Sequence, residues 1–225
     1  MEIIEKNRNL VVVYKPAGMP SQPDQSGDKD AFSLCKEELA RSSEPQELYL
    51  IHRLDRVVSG LLVFARNKKC AAELSALVSG DGIGKEYLAV IDGYTEGGRL
   101  VDLLYKDSRA GKSFVVDRKR AGVKEAVLDF IPLQTVESER GIKTLVKIKL
   151  LTGRFHQIRA QFGSRKLPIS GDGKYGSRDN KPIFPALFAY KLSAELSRFR
   201  LYAMRLPDIS EYPWNLFDEK NYGEL

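Results

Sequence analysis

The sequence predicts an α+β fold built on a largely antiparallel, mixed sheet flanked by helices and loops. Two observations carry this. Candidate strands outnumber candidate helices, and the two do not alternate regularly, as a doubly wound parallel sheet would require. Strands also crowd the second half of the chain, with short polar or Gly-containing turns between them. The 225 residues contain no internal repeat and no obvious linker, so they are read as one domain spanning 1–225.

The elements follow in order from local pattern. Leu10–Tyr14 is an apolar, β-branched run and reads as a strand. The Gly/Pro-rich stretch Pro20–Asp30 reads as a surface loop, and Ala31–Arg41 has helical spacing. Glu47–His52 is a candidate strand, followed by an irregular stretch, Arg53–Gly60. Leu61–Ala65 is continuously apolar and short, the pattern of a strand buried on both faces. Asn67 is placed to cap a helix through Leu77, with Cys70, Leu74 and Leu77 on one stripe. Gly80–Gly84 ends it. Strands are expected at Glu86–Asp92, Phe114–Asp117, Glu125–Thr135 and Lys143–Leu151. In the last, Leu145, Ile148 and Leu150 alternate with lysines and a threonine. Thr152–Gly153 is expected to open a helix through about Gly163, with Phe155, Ile158 and Phe162 as its core stripe. Strands near Ala186–Leu192 and Phe199–Leu206 close the chain.

Composition narrows the classes. Apolar residues make up 43%, enough for a proper core, and no apolar run approaches the roughly 20 residues of a membrane helix. The N-terminus lacks the pattern of a secretory signal, so a cytoplasmic protein is expected. Cys35 and Cys70 read as unpaired cysteines in a reducing compartment. With only His52 and His156 to help, they do not suggest a metal site. Net charge is +6 and is clustered. Residues 106–125 hold seven Lys/Arg against three acids, and residues 154–178 hold six against one. Such stretches suit a polyanion through phosphate contacts, and they equally suit a solvated surface.

Four constellations could carry chemistry. Asp55 follows Ile51-His52-Arg53-Leu54 and precedes Ser59-Gly60-Leu61-Leu62-Val63-Phe64-Ala65, a carboxylate in a loop between two buried strands. A neighbouring arginine keeps such a group ionised. Lys85-Glu86-Tyr87 opens a strand with a phenol that can stack on a base or pack in a core. In Thr152-Gly153-Arg154-Phe155-His156-Gln157-Ile158-Arg159, helical spacing sets His156 and Arg159 together on one flank. Pro168-Ile169-Ser170-Gly171-Asp172 reads only as a turn. Two other likenesses fail. His52-Arg53-Leu54-Asp55 lacks the Gly-rich loop and Asp-Phe-Gly of a kinase, and Gly80–Lys85 has the wrong glycine spacing and Glu86 where a P-loop needs Ser or Thr. No metal, nucleotide or other cofactor is therefore expected.

Together and in this order, these motifs resemble the RluA-like pseudouridine synthases. The resemblance begins at Val13-Tyr14-Lys15-Pro16-Ala17-Gly18 and spans about residues 10 to 206. It implies the pseudouridine synthase fold with a central active-site cleft, and isomerisation of uridine in structured tRNA or rRNA by a monomer. It makes Asp55 the essential aspartate, Tyr87 the tyrosine that stacks on the base, and Arg159 the arginine that pairs with the aspartate. Arg53 helps hold the flipped-out conformation, and Ile169 lines the base pocket. His52, Arg154 and His156, in the same motifs, join them on the substrate side. There are departures. Val58 stands where the family often has Thr, and Leu187-Phe188-Ala189 where it often has Leu-His-Ala. Nine residues precede Leu10, which leaves no room in this sequence for the S4-type RNA-binding domain of many relatives. Two other readings stand beside this one: a non-catalytic RNA-binding module or RNA chaperone of the same fold, and a hydrolase with Asp172 as a second acid.

Overall fold

A computed structural model describes residues 1–80, 82–223 and 225. Asp81, inside the expected Gly80–Gly84 break, lies outside the described residues. The described residues form eleven strands: β1 (Glu2–Lys6), β2 (Leu10–Lys15), β3 (Tyr49–Leu50), β4 (Ser59–Ala65), β5 (Ile83–Asp92), β6 (Gly98–Asp107), β7 (Lys112–Val116), β8 (Val123–Ser138), β9 (Gly141–Leu150), β10 (Leu187–Glu195) and β11 (Arg200–Met204). Four helices accompany them: α1 (Ala31–Arg41), α2 (Lys68–Ser79), α3 (Gln157–Ser164) and α4 (Lys220–Gly223). The expected α+β class holds. None of the helices is long and apolar enough to cross a membrane, among the described residues.

The chain divides into two compact units, 1–85 with 189–205, and 86–188 with 206–225. In the first, β2 and β4 pair antiparallel from Leu10↔Ala65 to Lys15↔Gly60, with β1 on the far edge of β2. Side-chain alternation sends the two faces of this pair to different helices. Val11, Val13, Leu62 and Phe64 pack with Ala31, Cys35 and Leu39 of α1. Leu10, Val12, Leu61 and Val63 pack with Cys70 and Leu74 of α2 and with Leu192 and Leu201. That is why Leu61–Ala65 is apolar at every position; all five residues are fully buried. Asp30 and Asn67 cap α1 and α2 by accepting from the backbone N–H groups of Ser33 and Cys70. Both cysteines are free and buried in these helices.

The second unit is an antiparallel run in the order β5-β9-β8-β6-β7. The 16-residue β8 extends beyond the expected Glu125–Thr135 at both ends, and its register with β9 shifts between Pro132 and Gln134. The bulge admits a proline, which has no N–H for the ladder, without ending the strand. The helix expected from Thr152 instead starts at Gln157. Thr152–His156 form a loop tied to β8. Val127 O accepts from the N–H groups of Leu151 and Thr152, and Val127 N–H donates to Thr152 Oγ1 at 2.8 Å. Phe155 therefore lies outside the helix, while Ile158 and Phe162 remain in its buried face.

Gly60, where β2 and β4 end, has φ +126°, and a Cβ there would lie 2.5 Å from the amide nitrogen and 2.8 Å from the carbonyl carbon of Ala189. Only glycine fits this approach, so Gly60→Ala should destabilise the protein by about 1–3 kcal/mol. Urea denaturation checks this; an unchanged midpoint would mean that the two backbones separate at no cost.

Candidate active site

The expected site residues fall in both units: His52, Arg53 and Asp55 in the first, Tyr87, Arg154, His156, Arg159 and Ile169 in the second. In the first unit the irregular stretch after β3 must be held by something other than a ladder. Segment 15–21 does this from both sides of Asp55. On one side, Leu54 N–H donates to Ser21 Oγ at 3.1 Å, and Ser21 Oγ donates to Leu54 O at 2.9 Å. On the other, Arg56 O accepts from Gly18 N–H at 2.8 Å and from Lys15 Nζ at 3.3 Å. Asp55 O accepts from Val58 N–H at 3.0 Å and closes the turn. Half-buried Asp55 thus sits between two pinned neighbours.

Lys15 is fully buried, and its three N–H bonds have three acceptors: Pro16 O, Met19 O and Arg56 O. Burial depresses its pKa to about 7, against the opposing pull of the Asp55 carboxylate. His52 Nε2 accepts from Val63 N–H at 3.3 Å. Burial, with Lys85 nearby, lowers its pKa to about 3, so it is a neutral group anchored to β4. Arg53 is exposed.

In the second unit Arg159 sits on α3 with 4% exposure. Its Nε and Nη2 donate to Asp172 Oδ2 and Oδ1 at 2.6 and 2.8 Å. Asp172 is itself 1% exposed, so the pair is bidentate and dry. The Tyr175 ring lies 5.1 Å from the guanidinium. The Tyr175 hydroxyl accepts from Ser113 N–H at 2.8 Å and lies 2.9 Å from His156 Nδ1. His156 adopts a left-handed conformation, φ 53°, stacked on Phe155 with ring centroids 3.8 Å apart. Burial, then Arg159 and Lys174, lower its pKa to about 3, which keeps the ring uncharged at neutral pH. Gln157 closes the loop: its Oε1 accepts from Thr152 Oγ1 and Arg154 N–H, and its Nε2 donates to Val127 O. Arg154 donates from Nε to Glu125 O at 2.8 Å and keeps its guanidinium at the surface.

Asp172 is placed by its turn. Ile169 bridges Ile91 and is fully buried. Asp92 N–H donates to Pro168 O, and Ser170 N–H to Val90 O, each at 2.8 Å. Gly171 has φ +81°, and a Cβ on it would meet Phe184 O at 2.7 Å. Tyr87 lies on β5 opposite Ile148 and is 6% exposed. The sequence brought Arg159, His156 and Ile169 to notice. It read Asp172 as a turn residue, or as the second acid of a hydrolase, and gave Lys15, Ser21 and Tyr175 no role.

Comparison with known proteins places the chain in a family. The RNA pseudouridylate synthase family model matches residues 9–164. The chain is 30% identical over 222 residues to tRNA pseudouridine synthase C of Vibrio vulnificus, covering 94% of this chain and 86% of that one. It is 33% identical over 189 residues to tRNA pseudouridine synthase C of Pasteurella multocida, covering 78% of this chain and 74% of that one. Human RNA pseudouridylate synthase domain containing 1 shares the fold with TM-score 0.76 at 23% identity, over 95% of this chain and 85% of that chain.

The buried lysine supplies a pH test. Its pKa falls from 10.5 to about 7 on folding, so between these values the unfolded chain binds more protons. Stability should therefore rise with pH across this window, by about 2 kcal/mol between pH 7 and pH 9. The measurement is the unfolding free energy of the wild type minus that of Lys15→Met at each pH. A flat difference would show that the amine stays charged in the fold.

Proposed function

The chain belongs to the RNA pseudouridylate synthase family and is an isomerase acting on uridine in RNA, and from that premise we propose that it acts on a structured tRNA or rRNA with Asp55 as the catalytic carboxylate. The observation that carries the assignment is the clamp on Leu54 and Arg56, which fixes the backbone on both sides of Asp55. A carboxylate that must meet one atom of a large substrate gains rate from such fixing, because misplacement by about 1 Å can cost 10²-fold.

In the reaction, the N1–C1′ bond of uridine breaks, the uracil turns, and C5 bonds to C1′. The proton leaves C5 and N1 gains one, so product and substrate are isomers. Asp55 engages the sugar or the base as that bond breaks. Arg159 supports the charge of the carboxylate, and Tyr87 stacks on the base. The uridine leaves its stack to be reached, at a cost of a few kcal/mol. Arg53 holds that extruded state, fully buried Ile169 backs the apolar wall of the base pocket from beneath, and Arg154 faces the RNA. Neutral His52 and His156 serve the substrate side by fixing the loops that carry these groups. The chain acts as a single catalytic domain, in the cytoplasm, as a monomer. Two relatives named for tRNA make tRNA the first substrate to try.

The basic stretch 106–125 supports an RNA partner. Lys106 lies over Phe155 at 4.7 Å, Lys112 over Tyr175 at 4.8 Å, and Arg120 over Tyr105 at 4.8 Å. Stacked cations of this kind suit both phosphates and bases. Arg118, Lys119 and Arg120 are exposed beside them.

Two measurements test the proposal. Asp55→Asn should lower turnover by about 10³-fold or more, read as tritium release from RNA labelled at uridine C5, with RNA affinity within about twofold of wild type. Retained turnover would remove Asp55 from the chemistry. Replacing Arg118, Lys119 and Arg120 with alanine should weaken binding to all RNA sequences alike. It should also reduce the slope of log affinity against log salt by about one for each phosphate these side chains neutralise. An unchanged slope would make this basic stretch a solvated surface.

A further inference from the structure

We propose that Lys143, deep in the second unit, is a positioning residue that sets Asp172 and through it Arg159; the inference rests on the catalytic reading of Arg159. Lys143 lies on β9 with no exposed surface, so it cannot touch RNA. Its amine donates to Asp92 Oδ1 at 2.6 Å, Asp179 Oδ2 at 2.7 Å and Ser170 Oγ at 3.0 Å, which uses all three of its N–H bonds.

The rest of the cluster is closed as tightly. Ser170 Oγ donates to Asp92 Oδ1. Ser177 Oγ donates to Asp92 Oδ2 at 2.6 Å and accepts from the N–H groups of Gly171 and Asp179 at 3.1 and 3.2 Å. Tyr212 OH donates to Asp179 Oδ2 at 2.5 Å, and Asp179 Oδ1 accepts from Lys181 N–H at 3.1 Å. Arg140 reaches the same oxygen at 3.5 Å.

The sequence positions of these groups decide what the cluster fixes. Ser170 and Gly171 precede Asp172; Ser177 and Asp179 follow it. The residues between these anchors form one compact turn, in which Asp172 O accepts from Tyr175 N–H at 3.0 Å and Ser177 N–H at 3.1 Å. Both ends of the segment carrying Asp172 and Tyr175 are therefore tied to one buried amine. Those two residues in turn hold the Arg159 guanidinium, one by the bidentate pair and one by its ring. A buried ion cluster is weak evidence for stability, since apolar packing of equal volume can serve as well. What apolar packing cannot supply is direction, and this cluster points a short segment at Arg159.

Lys143→Met leaves two carboxylates without their amine and can fail to fold, so the test uses Ser177→Ala and Tyr212→Phe. The control is Leu74→Ala, a core truncation in the first unit that is remote in sequence from every residue named above. Two readouts are taken on each variant: hydrogen exchange of the Arg159 Nε proton by NMR, and single-turnover rate with RNA affinity measured separately. Ser177→Ala should speed the exchange by about tenfold and lower the rate by about tenfold at unchanged affinity, and Ser177→Thr should restore both. Tyr212→Phe should move both readouts in the same direction. Leu74→Ala should move neither at temperatures below its melting point. Unchanged Arg159 exchange in Ser177→Ala and Tyr212→Phe would overturn the inference, and so would equal changes in the control. If the wild type isomerises no RNA while its Arg159 exchange still responds to Ser177→Ala, the catalytic reading fails and the positioning of Arg159 stands.

Discussion

A guanidinium cannot be buried without a carboxylate to match it, and Arg159 is buried to 4% exposure. The second unit is arranged around that requirement. Asp172 must lie in plane with the fork of Arg159, which fixes the direction of the turn that carries it. The turn needs Gly171 with positive φ, a bridge from Ile169 to β5, and Tyr175 beneath the guanidinium. On the other side, α3 must begin late enough to present Arg159, and His156 accepts a left-handed backbone to do so. Removing either partner of such a pair costs about 3–5 kcal/mol because the other is left uncompensated. The arrangement is therefore all-or-none: the surrounding turns are correct together or the pair cannot form.

The first unit solves the same problem with different groups. Asp55 must keep a half-buried carboxylate in a loop, where no strand ladder fixes the backbone. Here segment 15–21 supplies a hydroxyl, an N–H and a buried amine to the peptide groups on either side. These are ordinary hydrogen bonds, each contributing about 0.5–1.5 kcal/mol net, but each would cost more if left unmade in the interior. The amine of Lys15 also places positive charge near Asp55 at the expense of its own pKa. The proposed catalytic carboxylate is thus oriented by backbone, and the proposed cation by a carboxylate.

The sequence was most legible where burial alone decides structure. Ala31–Arg41 and the Leu61–Ala65 run came out as expected because helical spacing and a continuous apolar strand leave few alternatives. Strands β1 and β6 escaped notice, since Glu2, Glu5 and Lys6 in one and Arg99, Asp102, Lys106 and Asp107 in the other break the apolar signal. The family was legible because five short motifs kept their order, and the match over 9–164 bears it out. The partners of those motifs were not. Lys143 sits in an alternating strand where a lysine reads as solvent-facing, yet it is fully buried, because its two carboxylates are far away in sequence. Asp172 was noticed only as a turn residue or a second acid, and its pairing with Arg159 was not seen for the same reason. Long-range ion pairs leave no local trace.

The central claim is that orientation of Arg159 by Asp172, beyond mere stability, supports the reaction. The direct measurement is the single-turnover rate of Asp172→Asn beside its RNA affinity, at a temperature where unfolding curves show the variant folded. The account predicts a rate lower by about 10²-fold with affinity within about twofold, since the asparagine keeps the shape and loses the charge that holds the fork. A folded Asp172→Asn that turns over at close to the wild-type rate would contradict it.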